Sequence, residues 1–536
     1  MSKAAEIGKA STTGSFHLLW GLVISTVISS VATIFVARLL GSDLYGLYGI
    51  VLVTPNLIGI FRDWGINSAM VRYAAQFRGE GRESEVRSVF VSGLIFEIVL
   101  GFGLTALCFG LSGFIANNMF HRPVIAPLIQ LASITIFASG LVNAATAAFT
   151  GVEKMEHNSI MLIIQSIFKT VIMVTLVIEG LGNTGAVTGY TAALAIEAAT
   201  GILLMYGIYR KLPKPETRKL EIKAYIRAML VYGTPLSLST IIIGFQGQFY
   251  SFLLPIFYVT DNNAIGNYNI ATTFVILIAF VSQPIITMLF PAFSKLDPQK
   301  DNAALKRVFQ FSIKYASLLV VPTAVLVMVL AQPAISLLFG NGYSSAPLFL
   351  SLSALSYVYT AFGTLTSGNF IMSQGKTTVY LYLTLISAAL GFSVGYVLIM
   401  KMGIIGLIIT LLTTGIPNLV ISLLWINKHY GLTVDWTSSA KILISSFTAG
   451  GVTYVFLTAL RLSNIASLII GFVFFAIIFV FTALLIRVLD YDDLDNLRGM
   501  ASGIGIVGKL ISRILNLLGK IMSALNPVNF RKVKQD

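Results

Sequence analysis

Long apolar runs, broken at glycine, proline, asparagine and small clusters of charge, recur along almost the whole chain. A helix must carry about 20 apolar residues to cross roughly 30 Å of hydrocarbon, and about 14 runs reach that length. The expected spans in the first half are 16–37, 46–72, 88–115, 124–149, 158–179 and 184–208. Those in the second half are 230–257, 265–291, 308–331, 345–371, 377–400 and 402–426, followed by 438–460 and 464–487. The polar tail Met1–Ser15 leads into a run longer than the apolar core of a secretory signal, which predicts an uncleaved first helix.

The pattern also repeats. Val36–Tyr73 reappears about 220 residues later as Tyr258–Leu296, pairing Gly46 with Gly266, Tyr48 with Tyr268 and Ile50 with Ile270. Pro127 then pairs with Pro347, Lys154 with Lys376, and Gly182-x-x-Gly185 with Gly403-x-x-Gly406. An even number of helices per copy makes the two copies parallel, related by an axis along the membrane normal. The predicted organisation is an N-terminal six-helix lobe (1–209), a basic linker (210–229), a C-terminal six-helix lobe (230–430), two additional helices (431–488), and an acidic linker with a basic amphipathic helix (489–536). The fold class is therefore an all-α integral membrane protein, two pseudo-symmetric lobes around a central cavity plus a C-terminal helix pair. Helix 2 is interrupted at Asp63-Trp64-Gly65, and the equivalent offset in helix 8 holds Gln283-Pro284. Paired interruptions of this kind point to a transporter's central site. Gly244 and Gly247 are expected to loosen the middle of helix 7.

Composition agrees with the pattern: 56% of the 536 residues are hydrophobic and 11% charged, and the mean hydropathy is +0.85. The net charge of +14 is distributed by topology rather than gathered for nucleic acid. One set of alternate loops carries Arg72, Arg78, Arg82, Arg87, Arg210, Lys211, Lys214, Arg218, Lys219, Lys223, Arg227, Lys295, Lys300, Lys306, Arg307 and Lys314, while the other holds only Arg38, Arg122, Lys401 and Arg461. The basic side is expected to be cytoplasmic, with both termini there, in a plasma membrane. Cys108, the single cysteine, has no partner in the chain for a disulfide. Near the C-terminus Ile506, Leu510, Ile514, Leu517, Leu518 and Ile521 share one helical face, opposite Lys509, Arg513, Asn516 and Lys520. That stretch is expected to lie in the interface against anionic lipid headgroups.

No enzyme, cofactor or metal motif stands out, and the four histidines are scattered. What remains is charge inside the membrane, which is expensive enough to count as a functional site by default. Arg62 and Asp63 in helix 2, Glu97 in helix 3, Lys169 in helix 5 and Glu197 in helix 6 all belong to the first copy. Arg62, Glu97, Lys169 and Glu197 sit at nearly one depth, about 15 Å from the basic end. The second copy offers Gln246, Gln248, Asn267, Asn269 and Gln283 instead. Two readings fit this layer: buried pairs, such as Lys169 with Glu197, that hold the lobe together, or a hydrated cavity. In the second reading Arg38, Arg62, Asp63, Lys169, Gln246, Gln248 and Gln283 face substrate, and Glu97 and Glu197 bind a coupling H+ or Na+.

The segments ARLLGSDLYGLYGIV, DWGINSAMVRYAA, LFPAFSKL and FIMSQGKTTVYLYL make the chain resemble the polysaccharide-biosynthesis flippases, O-antigen type, of the multidrug, oligosaccharidyl-lipid and polysaccharide exporter superfamily. The resemblance covers about residues 14–490. It implies two lobes working by alternating access, and a polyprenyl- or dolichyl-phosphate-linked oligosaccharide turned to the outer leaflet; with both lobes in one chain, a monomer is expected to enclose the cavity, and no cofactor is expected. It also suggests that the extra C-terminal pair lines a lipid groove, as in peptidoglycan-precursor flippases. Alternative readings are a peptidoglycan-precursor flippase, a multidrug or cation antiporter and, in a different class, a membrane glycan polymerase or glycosyltransferase.

Overall fold

A computed structural model describes residues 3–214, 222–258, 261–298 and 300–489, with 493–495 and the isolated positions 498, 513, 516 and 519 beyond them. The predicted amphipathic helix and part of the basic linker therefore lie outside the described residues.

Among the described residues, ten helical stretches are long and apolar enough to cross a bilayer, or eleven counting one bent pair as a span. Three of these, Leu18–Arg62, Met155–Lys211 and Thr377–Tyr430, run to 45, 57 and 54 residues. Each exceeds twice the length of one crossing, and each is turned by glycine. Helix α1 (Lys3–Gly59) turns at Gly41 (φ 70°, ψ 172°). Helices α5 (Met155–Leu176) and α6 (Gly182–Lys211) meet at Gly180 and Gly182, both with positive φ. Helix α12 (Thr377–Thr413) turns at Gly403, and α13 (Gly415–Tyr430) completes that stretch. Dividing the three stretches at these glycines turns eleven spans into fourteen.

The turns make antiparallel hairpins. In the α5–α6 pair Gly189 lies against Met173 and Gly201 against Met161, where an added Cβ would collide. Small residues at such crossings let helices approach closely, which matters in lipid, where apolar surface alone gives little reason to associate. Helices α3 (Glu83–Phe114) and α4 (Ala126–Gly151) pair in the same way, with Gly101 on Phe137 and the Thr105 hydroxyl donating to the Ser133 carbonyl at 3.3 Å.

Repeat-related positions adopt the same backbone. Gly182 has φ 51°, ψ −128° and Gly403 has φ 57°, ψ −127°. The amides of Lys154 and Lys376 close matching helix ends by donating to Phe149 and Ile371 carbonyls at 2.8 and 3.1 Å. The segments Ala126-Pro127 and Ala346-Pro347 begin α4 and, in the second copy, α10 (Ala346–Val358), where a proline costs no hydrogen bond.

The contacts divide the chain into two compact units. The first comprises residues 1–273, 335–349 and 378–418. Its core packs Ile66, Met70, Phe90, Phe149 and Met161 among α2 (Ile66–Gly79), α3, α4 and α5. It also contains α7 (Ile222–Phe257), which continues through Gly244–Gln248 without the expected loosening.

The second unit comprises residues 274–334, 350–377 and 419–536. Here the expectation of a break at Gln283-Pro284 fails, since α8 (Asn262–Ser294) stays helical through both residues. The bend falls instead at Gly363 (φ 94°), between α10 and α11 (Thr364–Ser373), and reaches 54°. The carbonyls it frees are satisfied from elsewhere: Thr360 accepts from the Ser317 hydroxyl at 3.1 Å, and Ala361 accepts from Ser439 at 2.6 Å. Ser317 belongs to α9 (Asn302–Phe339) and Ser439 to α14 (Trp436–Leu460), the first of the two extra helices. Non-helical backbone at membrane depth survives only with such partners.

Helix α14 pairs with α15 (Asn464–Leu485) through Gly471 against Leu457. Past α15, Asp493 is 1% exposed and ion-paired with Lys314 of α9 at 2.5 Å, while the Tyr315 hydroxyl donates to it at 3.1 Å. Asp493 is thus pinned to α9. Asp493→Asn is expected to lower stability by about 1–3 kcal/mol, read as a fall in the thermal midpoint of the detergent-solubilised protein. An unchanged midpoint would mean the pin carries no load.

Candidate functional site

The first copy's break organises the intramembrane charges. After α1 a single tight turn, Ile60–Arg62, carries the chain to Asp63, which is extended (φ −94°, ψ 100°), and then to Gly65 (φ 81°), before α2 begins. The Asp63 carboxylate accepts the Gly65 amide at 2.8 Å, replacing a helical hydrogen bond the break removes. Gly65 packs backbone to backbone on Gly233 of α7, so close that a Cβ on either would overlap the other.

The break swings Arg62 inward. Its Nε lies 3.2 Å from Glu97 Oε2 of α3, and its Nη1 donates to the Ile136 carbonyl of α4 at 3.2 Å. Glu97 Oε1 accepts from Asn67 Nδ2 of α2 at 2.7 Å. The side chains of Arg62 and Glu97 are 10% and 0% exposed. Room for them comes from Gly140, where a Cβ would sit 3.0 Å from Glu97 Oε2 and 3.1 Å from Arg62 Cδ. One ion pair and two hydrogen bonds thus join the turn after α1 with α2, α3 and α4 across the break. Buried charge in this form is tolerated because each partner supplies the other's counterion.

The expected pairing of Lys169 with Glu197 does not form: among the described residues neither side chain has an ion-pair partner within 4.0 Å. The two residues are also out of register. The α5–α6 contacts place residue 173 beside 189 and 161 beside 201, which leaves Lys169 and Glu197 four positions apart, or about 6 Å along the axis. Lys169 is half-buried, with its amine 5.7 Å from the centre of the Tyr190 ring, and Glu197 is 4% exposed.

The remaining candidates disperse. Arg38 donates to the Leu337 and Leu338 carbonyls in the last turn of α9, a favourable place for a cation. Gln246 donates to the Tyr250 hydroxyl at 2.7 Å and to the Ser387 carbonyl of α12 at 3.4 Å, packed on Gly391. Gln248 is half-buried on α7, and Gln283 is exposed in the second unit. Asn67 and Gly140 escaped the sequence reading. Asn67, an amide one turn beyond a helix break, carried a signal, whereas Gly140 looked like any small residue in an apolar run. Arg122 was missed too; it donates to Asn262 Oδ1 at 3.0 Å and to the Pro255 carbonyl at 2.9 Å, closing the end of α7. Burial lowers its pKa from the usual guanidinium range, against the opposing charge of Asp43.

A further contact involves the repeated stretch itself. Gly46 and Gly266, the pair matched by the repeat, lie against one another, and a Cβ on Gly46 would overlap the Asn262 carbonyl. The Asn263 side chain donates to the Ser42 hydroxyl beside them at 2.5 Å.

The sequence profile of polysaccharide biosynthesis proteins matches residues 35–348, more than half the chain, including the break, its charges and both glycines of this contact. The chain belongs to that polysaccharide biosynthesis protein family. It is 23% identical over 417 residues to an uncharacterized membrane protein, MJ1068, of Methanocaldococcus jannaschii, covering 74% of this chain and 80% of that one. It is 20% identical over 262 residues to the probable low-salt glycan biosynthesis flippase Agl15 of Haloferax volcanii, covering 48% of this chain and 55% of that protein. The chain thus spans about half the length of the second relative. Among solved structures it is similar to the lipid II flippase MurJ in an inward closed conformation, with a TM-score of 0.69 over 88% of this chain and 98% of that one. At 14% identity the likeness is one of fold. The family member described here is accordingly a multi-pass membrane protein with a transporter fold.

Proposed function

We propose that the protein is a flippase that turns a polyprenyl- or dolichyl-phosphate-linked oligosaccharide from one leaflet to the other by alternating access. The observation that carries this reading is the match to the polysaccharide biosynthesis family across the broken helix and its buried charges. A relative described as a probable glycan biosynthesis flippase supports it, as does the fold shared with a lipid II flippase. The chemistry agrees: glycan hydroxyls cannot cross hydrocarbon unpartnered, while the lipid tail never needs to leave it. In this proposal residues 1–209 and 230–430 form the two moving lobes, the basic loops face the cytoplasm of a plasma membrane, and one chain suffices.

Glu97 and Glu197 are the proposed sites for a coupling proton or sodium ion, and Lys169, which has no carboxylate partner among the described residues, is the proposed contact for the carrier's phosphate. Proteoliposomes holding a fluorescent polyprenyl-phosphate oligosaccharide are expected to show protein-dependent loss of protection from an external quencher. Lys169→Ala should slow this at least about tenfold, the worth of a charge-assisted phosphate contact. Protection identical to protein-free vesicles would sink the flippase reading. Translocation indifferent to imposed H+ and Na+ gradients would remove the coupling role alone.

A further inference from the structure

At the basic-loop end of the first unit, α2 and α7 enclose an open cleft of about 670 Å³ whose lining includes Arg72, Tyr73, Arg227, Tyr232, Ala228 and Val231. The Arg72 guanidinium lies 4.1 Å from the centre of the Tyr232 ring and 5.7 Å from that of Tyr73, so it is held in place without being neutralised. Several acids at this end are already engaged. Glu80 and Glu85 pair with Arg82, Glu85 also accepts from Tyr225 at 2.8 Å, and Glu153 lies 4.0 Å from Arg78. Among the described residues, Arg72 and Arg227 have no carboxylate within 4.0 Å. Val231, by contrast, is 71% exposed, a bare apolar side chain in the same lining as these two cations. Cations next to apolar surface at the edge of a membrane span match a phosphate bearing an acyl chain.

We propose that this cleft binds the phosphate of an anionic bilayer phospholipid, which neutralises Arg72 and Arg227 together and ties α2 to α7. The tie lies about 10 Å from the Gly65–Gly233 contact between the same two helices and reinforces it. The proposal does not depend on what the protein transports.

The test uses the full chain, delipidated in detergent, with dioleoylphosphatidylglycerol and dioleoylphosphatidylcholine as separate probes in native mass spectrometry. The wild type is expected to retain phosphatidylglycerol in preference to phosphatidylcholine. R72Q/R227Q should bind phosphatidylglycerol at least about tenfold more weakly, with phosphatidylcholine retention unchanged. R227Q alone replaces an exposed side chain that makes no hydrogen bond or ion pair among the described residues; it keeps the fold and should show part of the loss. Equal phosphatidylglycerol binding by wild type and R227Q, or by wild type and a folded double variant, overturns the proposal. So does displacement by inorganic phosphate at equal concentration, which would mark an anion site with no use for lipid. Tighter retention of dolichyl phosphate than of phosphatidylglycerol overturns it as well, by assigning the cleft to the carrier.

Discussion

Glu97→Gln is expected to destabilise the protein by about 3–5 kcal/mol, because it strands the buried Arg62 guanidinium with no other carboxylate within 4.0 Å among the described residues. Arg62→Met should cost less. A carboxylate left alone can take up a proton, whereas a guanidinium cannot lose one. The double variant R62M/E97Q should then be more stable than E97Q alone, since neither charge is left behind. Thermal midpoints of the four purified proteins complete the cycle, and a double variant as unstable as the sum of the singles would show that the 3.2 Å approach carries no coupling. Transport by the same set decides the role of the pair. A stable double variant that still flips glycan makes Arg62 and Glu97 a structural clasp across the helix break. A stable but inactive one makes them part of the transport cycle.

The pair shows how far the sequence could lead. That Arg62 and Glu97 occupy one depth follows from counting residues to the basic end of each helix, because rise per residue is fixed in a span. That they are partners does not follow, and the same counting set Lys169 beside Glu197. Glycine packing between α5 and α6 chose a register four residues away. Helix boundaries were legible where glycine turned the chain, and Gly182 and Gly403 repeat the same dihedral angles as well as the same spacing. The break at Asp63-Trp64-Gly65 was legible for the same reason, whereas its supposed counterpart in α8 was not a break. One proline removes one hydrogen bond and leaves the helix its remaining ones. The bend at Gly363 depends on hydroxyls from Ser317 and Ser439, which are distant in sequence, and no local pattern announces partners of that kind.

Gly46→Val is expected to force apart the contact between the repeated stretches. A Cβ there has nowhere to go, since the Asn262 carbonyl, the Asn262 carbonyl carbon and the Gly266 amide all crowd the position. Overpacking of this sort costs about 1–3 kcal/mol. Two backbone contacts now brace the α1–α2 segment, Gly46 on Gly266 at one end and Gly65 on Gly233 at the other. If alternating access opens these ends in turn, valine at position 46 penalises only the states in which its own end is closed. A penalty of that size shifts the equilibrium towards opening there by about 5- to 150-fold. Cys108 is buried and is the only cysteine, so a Cys108→Ser background carrying Asn269→Cys gives a single reporter one turn from Gly266. Its maleimide labelling rate should rise with Gly46→Val by a factor in that range, while the proposed glycan flipping slows because the return to the closed state is disfavoured. Unchanged labelling in a folded Gly46→Val protein would mean that this contact does not open at all, and the gate would then have to be sought elsewhere than in the repeated stretch.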